Sequence, residues 1–307
     1  MDQFAETSIR DAAELPAVAG RLAFCTDAHT ITPLFFPGGD LGSLAVYGTV
    51  NDLVVAGAVP RWLSLSLILE EGFPLEELGR LLDSAGRTAR ECGVEIVTGD
   101  TKVVPRGNID GVFMITSGIG ELEPPVPIGP AAIREGDSVL ISGDIGRHGI
   151  AVLTARGQLQ SEVQSDCGNL APAAACLRTH FGEHLRCLRD CTRGGLAAVL
   201  HEWAGETAFA FELSESQIPV GSAVRGGCEL LGLEALHLPN EGTFAAVIAA
   251  EAAEEATALL RRFPQHSAAA VIGRATRRII SPVLVARGLG RPRPLDDPAG
   301  TPLPRIC

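Results

Sequence analysis

The stretch Trp62–Thr98, WLSLSLILEEGFPLEELGRLLDSAGRTARECGVEIVT, decides the fold class. Its two ends, Trp62–Leu69 and Val94–Thr98, are short runs rich in apolar side chains, and such runs are typical of β-strands. The residues between them, Leu75–Cys92, carry the signals of a helix. A strand, a helix and a second strand in this order indicate an α/β unit.

The helix between the two strands has a clear beginning and a clear end. Pro74 stands just before its first turn, where a missing N–H does no harm, and Glu76 and Glu77 favour the positive end of the helix dipole. Gly93 follows its last residue, the usual position of a glycine that ends a helix. The sequence therefore predicts both ends of this helix.

Strands and helices alternate along the rest of the chain as well. This alternation predicts an α/β (α+β) protein with sizeable sheets. The further predicted strands are Arg21–Thr26, Val112–Ile119, Ser138–Ser142, Ala208–Leu213, Phe244–Ala249 and Ile279–Ala286. The further predicted helices are Gly42–Ala56, Leu170–His180, Gly194–Trp203 and Ala252–Arg262.

The length of 307 residues favours two domains over one. Four prolines interrupt the pattern in Glu121–Pro130, ELEPPVPIGP, and this segment is the predicted boundary. We expect domains at 1–125 and 131–290. Residues 291–307, RPRPLDDPAGTPLPRIC, contain five prolines and predict an extended, mobile tail.

Composition excludes several classes of function. A net charge of −12 argues against nucleic acid as a partner, although an acidic site can still bind a nucleotide through Mg²⁺. The sequence contains no run of eighteen apolar residues, so no membrane span is predicted. The opening MDQFAETSIRDAAEL lacks the features of a secretory signal. We therefore expect a cytoplasmic protein without a membrane segment.

Eight cysteines are present without any CxxC pair, which favours reduced thiols over a disulfide framework. Cys187 and Cys191 have the spacing of half a metal site, but no second pair accompanies them. Cys307 is the last residue and follows the proline-rich tail. A thiol on such an arm can move between sites, so a functional role is favoured over an incidental exposed cysteine.

Acidic residues of the first domain stand where a metal site is expected. Asp27 and Asp100 are predicted to end strands, and Asn51-Asp52 interrupts an otherwise apolar helix. Carboxylates together with the Thr101 hydroxyl suit Mg²⁺, which prefers oxygen ligands. Asp27 and Asp100 are also acceptable as ordinary turn or helix-capping residues. The polar pair in the helix requires partners, because unsatisfied polar groups in an apolar setting cost stability.

Lys102 is the only lysine among 25 basic residues, and the rest are arginines. A sequence with this bias is expected to lose any lysine that arginine can replace. Lysine can release its proton at working pH, whereas arginine cannot. A proton-transfer role for Lys102 is therefore weighed against chance survival on the surface. Its neighbours Asp100 and Thr101 favour the functional alternative.

Glycine-rich segments precede several predicted helices. They include Gly38-Gly39, the run Ser142–Gly149, and Asp190–Gly195. Helix N-termini with glycine loops can bind phosphate, although glycine is also the ordinary turn residue. In Pro239–Thr243, Glu241 is either a base or a turn residue on this pattern alone.

Taken in order, eight segments resemble the HypE family, the carbamoyl dehydratases of hydrogenase maturation. They are GRLAFCTD, PLFFPGGDLGSLAVYGTVNDL, ILEEGFPLEEL, IVTGDTKVV, LISGDIGRHG, RDCTRGGL, LPNEGTF and PLPRIC. The combination of TGDTKVV with a terminal PRIC is the most specific part. The layout is also similar to the wider PurM-like (aminoimidazole ribonucleotide synthetase) superfamily. This implies a two-domain PurM-like fold whose N-terminal sheet domain forms a homodimer.

The resemblance implies a complete reaction. A HypF-type carbamoyltransferase would load Cys307, and ATP with Mg²⁺ would drive dehydration of the carbamoyl group to a thiocyanate. The cyano group would then pass to iron on a HypC–HypD complex. Lys102 and Glu241 correspond to the family's residues beside the carboxamide nitrogen. The sequence patterns and the resemblance together predict nucleotide and metal residues at Asp11, Asp27, Asn51, Asp52, Asp100, Thr101, Asp190, Gly38 and Gly39, with Asp27, Asp52 and Asp100 on the metal.

One departure from the family concerns the beginning of the chain. Members carry a glycine-rich HGSGG-type segment before the point at which this sequence opens, and here Asp11-Ala12-Ala13 resembles the first acidic ATP motif. The departure bears on nucleotide affinity and on closure over ATP. Two alternatives therefore stay open at this point. One is a partner-binding remnant without ATP turnover, and the other is a different PurM-like kinase or synthetase.

Overall fold

The computed structural model describes residues 11–123, 129–278, 280–288 and 291–300. The strands in these ranges are β1 Leu22–His29, β2 Phe35–Phe36, β3 Gly39–Asp40, β4 Ala58–Glu70, β5 Glu95–Val104, β6 Val112–Leu122, β7 Ser138–Ile141, β8 Leu185–Asp190, β9 Phe209–Ser214, β10 Phe244–Ile248, β11 Ala270–Arg277, β12 Val283–Ala286 and β13 Arg293–Pro294. The α-helices are α1 Leu41–Val55, α2 Leu75–Cys92, α3 Arg147–Ala155, α4 Ala171–Phe181, α5 Gly195–Glu206, α6 Ser222–Leu231 and α7 Ala253–Leu260. None of these helices is long and apolar enough to cross a bilayer.

The helix that decides the fold class is confirmed residue for residue. Helix α2 spans Leu75–Cys92 after the extended Pro74, and Gly93 has φ of 68°. That conformation is left-handed and suits glycine, and it lets the Gly93 N–H close onto the carbonyls of Ala89 and Arg90. Local signals are sufficient here because both ends depend only on backbone geometry.

Two strands run further than the sequence predicts. Strand β1 continues past Asp27 to His29, and β5 continues past Asp100 to Val104. The expectation that the two aspartates end their strands is therefore wrong. The neighbouring strands explain the difference: β6 pairs with β1 through His29, and β4 pairs with β5 through Val104.

The first domain is a four-stranded sheet in the order β1-β6-β4-β5, with α1 and α2 on one face. One row of paired residues crosses it from Asp27 through Thr116 and Leu65 to Gly99. Strands β1 and β5 are its two edges, and three strand spacings separate them. This distance is roughly 14 Å.

The second domain is a seven-stranded sheet in the order β13-β12-β9-β11-β7-β10-β8. Alternate residues of β10 serve two different cores, as the strand period of two requires. Ala245 and Val247 pack with the α5 side chains, whereas Ala246 and Ile248 belong to a core that also contains α1, α3 and α4 residues. This second core continues into the first domain, so helix α1 lies between the two sheets.

The proline-rich tail is attached to the second domain over part of its length. Strand β13 pairs with β12, and Leu295 is buried. His201 contacts the Leu295 carbonyl at 3.0 Å, and His237 contacts the Asp296 carbonyl at 3.0 Å. Residues 293–300 are therefore packed against the second domain, whereas the sequence predicts an extended, mobile tail there. Residues 301–307, including Cys307, lie outside the described residues.

Candidate active site

Three carboxylates from three elements meet beside α1. Asp27 comes from β1, Asp52 from α1, and Asp190 ends β8 of the second domain. The ligand atoms of Asp27, Asp52 and Cys25 all lie within 4.8 Å of one another. Asp190 is 5% exposed and raises the pKa of Asp52 through its charge. The group formed by Asp27, Asp52 and Asp190 is called the carboxylate cluster below.

The charges of the carboxylate cluster oppose one another. Burial, and then the charges of Asp190 and Asp27, raise the pKa of Asp52 from 3.8 to about 7, while Arg189 lowers it. Burial also raises the pKa of Asp190, and Arg189 again opposes the shift. Arg189 is shared, because its guanidinium also pairs with Glu202 at 3.1 Å. The cluster therefore carries more negative charge than this arginine balances.

The donor set of the cluster fits a hard divalent cation such as Mg²⁺. All three residues offer carboxylate oxygens, the ligands that this ion prefers. Burial and the charges of Asp52 and Asp27 raise the pKa of the Cys25 thiol to about 12, which disfavours a thiolate ligand. A bound cation would lower the free energy of these crowded charges, and the site is thus suited to a metal.

A chain of hydroxyl groups fixes the orientation of Asp27. Thr49 donates to its carboxylate at 2.7 Å and lies 2.6 Å from the Thr116 hydroxyl. Thr116 in turn donates to the Ala45 carbonyl at 3.1 Å, and His29 lies 3.2 Å from its hydroxyl. Sequence reasoning missed both threonines. The available signal was the position of Thr49, one helical turn before Asp52.

Asn51 is turned toward the second domain. Its amide nitrogen donates to the Gly168 carbonyl at 3.0 Å and to the Glu241 carbonyl at 3.5 Å, and its oxygen accepts from the Leu170 N–H at 3.0 Å. These contacts satisfy the polar group that the sequence places in an apolar helix. Asn51 thereby joins α1 to two loops of the second domain.

Glu241 lies in a buried loop formed by residues 240–243 and called the Glu241 loop below. Asp166, which sequence reasoning missed, accepts hydrogen bonds from this loop. Glu241 itself is 6% exposed, and Asn240 is fully buried. Asn51 contacts the Glu241 carbonyl and directly precedes Asp52, so the Glu241 loop adjoins the carboxylate cluster.

Gly38 and Gly39 are packed closely against other residues of the chain, Gly38 against Ser165 and Gly39 against Phe36. Gly38 has φ of 90°, and a Cβ there would lie 2.7 Å from the Ser165 carbonyl oxygen. A Cβ on Gly39 would lie 2.7 Å from the Phe36 ring. Both glycines are therefore required by packing, and their contact with a nucleotide stays a prediction.

Asp100, Thr101 and Lys102 lie apart from the carboxylate cluster. They belong to the edge strand β5, and Lys102 pairs with Ile68 while the core-facing Leu67 pairs with Thr101. Since side chains alternate, Asp100 and Lys102 lie on the face of the sheet opposite α1. The protomer thus brings Asp27 and Asp52 together with Asp190 and does not bring Asp100 to them. Asp11 is exposed before β1.

Two family models match the chain and together span most of it. The N-terminal domain of the AIR synthase related proteins matches residues 10–122, and their C-terminal domain matches residues 134–282. The carbamoyl dehydratase HypE of Escherichia coli strain K12 is 47% identical over 299 residues, which are 97% of this chain and 88% of that protein. The chain belongs to the HypE family of carbamoyl dehydratases. The predictions of this family and of an enzyme are confirmed.

Solved structures of the family agree with the fold. A crystal structure of E. coli HypE, a hydrogenase maturation protein, superposes with a TM-score of 0.93 at 45% identity and covers 100% of this chain and 96% of that one. A structure of HypE in complex with ATP superposes with a TM-score of 0.92 at 44% sequence identity, and the match covers 97% of this chain and 90% of that one. The match to a HypE–HypF complex has a TM-score of 0.87 at 40% sequence identity and covers 92% of each chain. The predicted two-domain α/β, PurM-like class is confirmed.

Proposed function

We propose that this enzyme dehydrates a carbamoyl group carried on the Cys307 sulfur and consumes ATP in doing so. The thiocarbamate S–C(=O)–NH₂ and ATP would yield the thiocyanate S–C≡N, ADP and inorganic phosphate. The carboxamide oxygen leaves with the phosphate, and both nitrogen protons are removed. Membership of the carbamoyl dehydratase family supports the reaction class, and the HypE–ATP complex of a relative supports the co-substrate.

The observation that carries this proposal is the carboxylate cluster beside the Glu241 loop. Asp27, Asp52 and Asp190 would hold Mg²⁺, and the ion would supply positive charge to bound phosphates. Asp11, Asn51, Gly38 and Gly39 stay proposed contributors to the nucleotide site. Asn51 would act there through the two loops that it joins, because its amide is already hydrogen bonded to them.

Glu241 and Lys102 are the proposed proton carriers. Both residue types can exchange a proton, which is what loss of water from an amide requires. In one protomer, however, Lys102 lies on the face of the first sheet opposite α1, whereas the Glu241 carbonyl contacts Asn51 of α1. We therefore propose that Lys102, with Asp100 and Thr101, reaches the site of a second copy of the chain.

The two edges of the first sheet support such a homodimer. Phe24 is 69% exposed and Leu22 is 51% exposed on β1, while Val103 is 58% exposed on β5. In a dimer with twofold symmetry, β5 of each copy can lie along β1 of the other. This arrangement would cover the apolar side chains at both edges and bring the β5 strand that carries Lys102 alongside β1 of the second copy.

The attached part of the tail supports delivery of Cys307. A Cβ on Gly194 would lie 3.0 Å from Pro298, and Gly194 is only four residues after Asp190. Seven residues then follow Gly300, and seven extended residues reach roughly 25 Å. Cys307 could therefore reach the carboxylate cluster while residues 293–300 stay attached. A tethered substrate also raises its effective concentration.

The partners follow from the same chemistry. A HypF-type carbamoyltransferase would load Cys307, and the HypE–HypF complex of relatives supports this partner. The cyano group would then pass to a HypC–HypD complex that carries iron. A partner-binding remnant of the family, without ATP turnover, is the alternative.

Intact-mass spectrometry after loading by HypF, with and without MgATP, tests the reaction. We expect a carbamoyl adduct on the C-terminal peptide that loses water only with MgATP. A stable adduct would instead support the partner-binding remnant. Cys307→Ala should carry no adduct but still bind ATP. Lys102→Arg should bind ATP and dehydrate poorly, because arginine keeps the charge but not the labile proton.

Mixing two inactive variants tests the second copy. If Lys102 acts across the dimer, subunits with Lys102→Ala and subunits with Glu241→Gln restore one intact site in each mixed dimer. After exchange, activity should return to about a quarter of the wild-type value, because half of the dimers are mixed. No recovery in demonstrably mixed dimers would place both groups in one protomer.

A further inference from the structure

We propose that Asp166 is a positioning residue of the dehydration reaction, which sets the place of Glu241 by holding the backbone of the Glu241 loop. This inference rests on the proposed role of Glu241. Asp166 does not touch the reacting group in this proposal. It acts through the hydrogen bonds that it accepts.

The two carboxylate oxygens of Asp166 accept four hydrogen bonds from four consecutive residues. The Glu241 N–H donates to one oxygen at 3.1 Å. The other oxygen accepts from the Gly242 N–H at 3.1 Å, the Asn240 amide at 2.9 Å and the Thr243 hydroxyl at 2.8 Å. An ionised carboxylate only accepts hydrogen bonds, so it matches a loop that presents only donors. No neutral side chain of similar size offers the same four acceptor positions.

Asp166 is itself held in place by its neighbours. The adjacent Ser165 donates its N–H to the Pro37 carbonyl at 2.8 Å, and its hydroxyl lies 2.9 Å from His148. Both Asp166 and Ser165 are buried, and His148 is fully buried. The segment that carries Asp166 is therefore held by burial and by the hydrogen bonds of Ser165, and it supports the Glu241 loop.

The carbonyl oxygen of Glu241 also accepts two hydrogen bonds. That oxygen accepts from the Gly168 N–H at 3.2 Å and from the Asn51 amide at 3.5 Å. Asn51 precedes Asp52 on α1, so these contacts set the distance between Glu241 and the carboxylate cluster. Close packing reinforces the arrangement, because a Cβ on Gly242 would lie 1.8 Å from the Asp166 carbonyl oxygen. Asp166 and Asn51 thus hold the two sides of one peptide.

Asp166→Asn tests the proposal, because the shape is kept while one acceptor oxygen becomes a donor. We expect the single-turnover rate of dehydration of the S-carbamoylated enzyme to fall about 100-fold, the usual consequence of a displaced catalytic group. ATP affinity, measured by calorimetry, should stay within about threefold of wild type. This separation of rate from binding is not expected from a general loss of stability.

Asp137→Asn is the matched control. Asp137 is also buried, and it accepts hydrogen bonds from the Arg134 N–H at 2.8 Å and from Arg186 at 3.2 Å, but it lies outside the site. We expect this variant to lose thermal stability and to keep its dehydration rate within about twofold. A rate, affinity and stability that decline together in Asp166→Asn, as in a generally weakened protein, would overturn the proposal.

Hydrogen exchange tests the geometry without relying on activity. In Asp166→Asn the amides of Glu241 and Gly242 should exchange faster than in wild type, whereas Asp137→Asn should leave them unchanged. Unchanged exchange at these amides would overturn the proposal. If wild-type enzyme never dehydrates the carbamoyl group, the proposed function fails, and exchange still decides whether Asp166 holds the loop.

Thr243→Val provides a milder change in case Asp166→Asn does not fold. It removes one of the four donors at a buried position and keeps a side chain of similar size. The same two measurements should change in the same direction, with a rate loss of about 10-fold or less. A wild-type rate together with wild-type exchange in a folded Thr243→Val protein would contradict the proposal.

Discussion

The carboxylate cluster and the segment that carries Asp166 are both acidic, but their partners differ. In the cluster, three carboxylates lie close together, and burial followed by the charges of Asp190 and Asp27 raises the pKa of Asp52. At Asp166, a single carboxylate faces four donors of the Glu241 loop. Crowded acceptors without enough donors indicate a site for a ligand of positive charge. A fully matched acceptor indicates a structural support.

The largest expected effect comes from the cluster. Asp52→Asn removes a proposed metal ligand, and the dehydration rate with MgATP should fall by about 1,000-fold or more, as loss of several kcal/mol of charge stabilisation requires. Single-turnover mass spectrometry of the loaded enzyme measures this. Asp83→Asn, an exposed change on α2, is the control and should leave the dehydration rate unchanged. Full activity in Asp52→Asn would remove the cluster from the reaction.

Neutralising Asp52 and neutralising Asp166 should change the free energy of unfolding in opposite directions. Without metal, Asp52→Asn relieves repulsion and should raise the free energy of unfolding. Asp166→Asn leaves donors facing a donor and should lower it by about 2–4 kcal/mol. Urea unfolding in the presence of EDTA measures both. Destabilisation of equal size in the two variants would break the comparison.

The cluster also predicts a pH dependence of stability in metal-free protein. The pKa of Asp52 rises from 3.8 to about 7 on folding, so between these values the native state binds more protons than the unfolded state. Stability should therefore fall as pH increases through this window, by about 1–3 kcal/mol after allowance for screening. Urea unfolding at pH 5 and pH 8 with EDTA tests this, and Asp52→Asn should flatten the slope. Saturating Mg²⁺ should also reduce it.

The smallest expected effect concerns the support of the cluster. Thr49→Val removes the hydroxyl that donates to Asp27, and stability should fall by about 1 kcal/mol. Mg²⁺ affinity should weaken only a few-fold, because the carboxylate remains. Calorimetric titration with Mg²⁺ measures this effect. A loss of affinity as large as that of Asp52→Asn would show that the hydroxyl itself is a ligand.

Sequence reasoning succeeded where the signal is local. The limits of α2 follow from Pro74 and Gly93, and α1 was predicted within one residue at each end. The sequence predicted site residues at Asp27 from an expected strand end, at Asp52 from a polar pair in an apolar helix, and at Asp190 from a glycine-rich segment before a helix. The grouping of Asp27 and Asp52 with Asp100 was not formed, because the strand order of the first sheet places β5 at the edge opposite β1.

The sequence by itself determined the alternation of strands and helices, the family, and the residue types capable of the chemistry. Only the tertiary structure decided which of these residues meet. Asp166 and Glu241 are 75 positions apart, and Asn51 and Glu241 are 190 apart, yet each pair shares a hydrogen bond. Periodicity and capping describe neighbours along the chain. Strand order and the packing of α1 between two sheets depend on the sum of many distant contacts, which no local pattern contains.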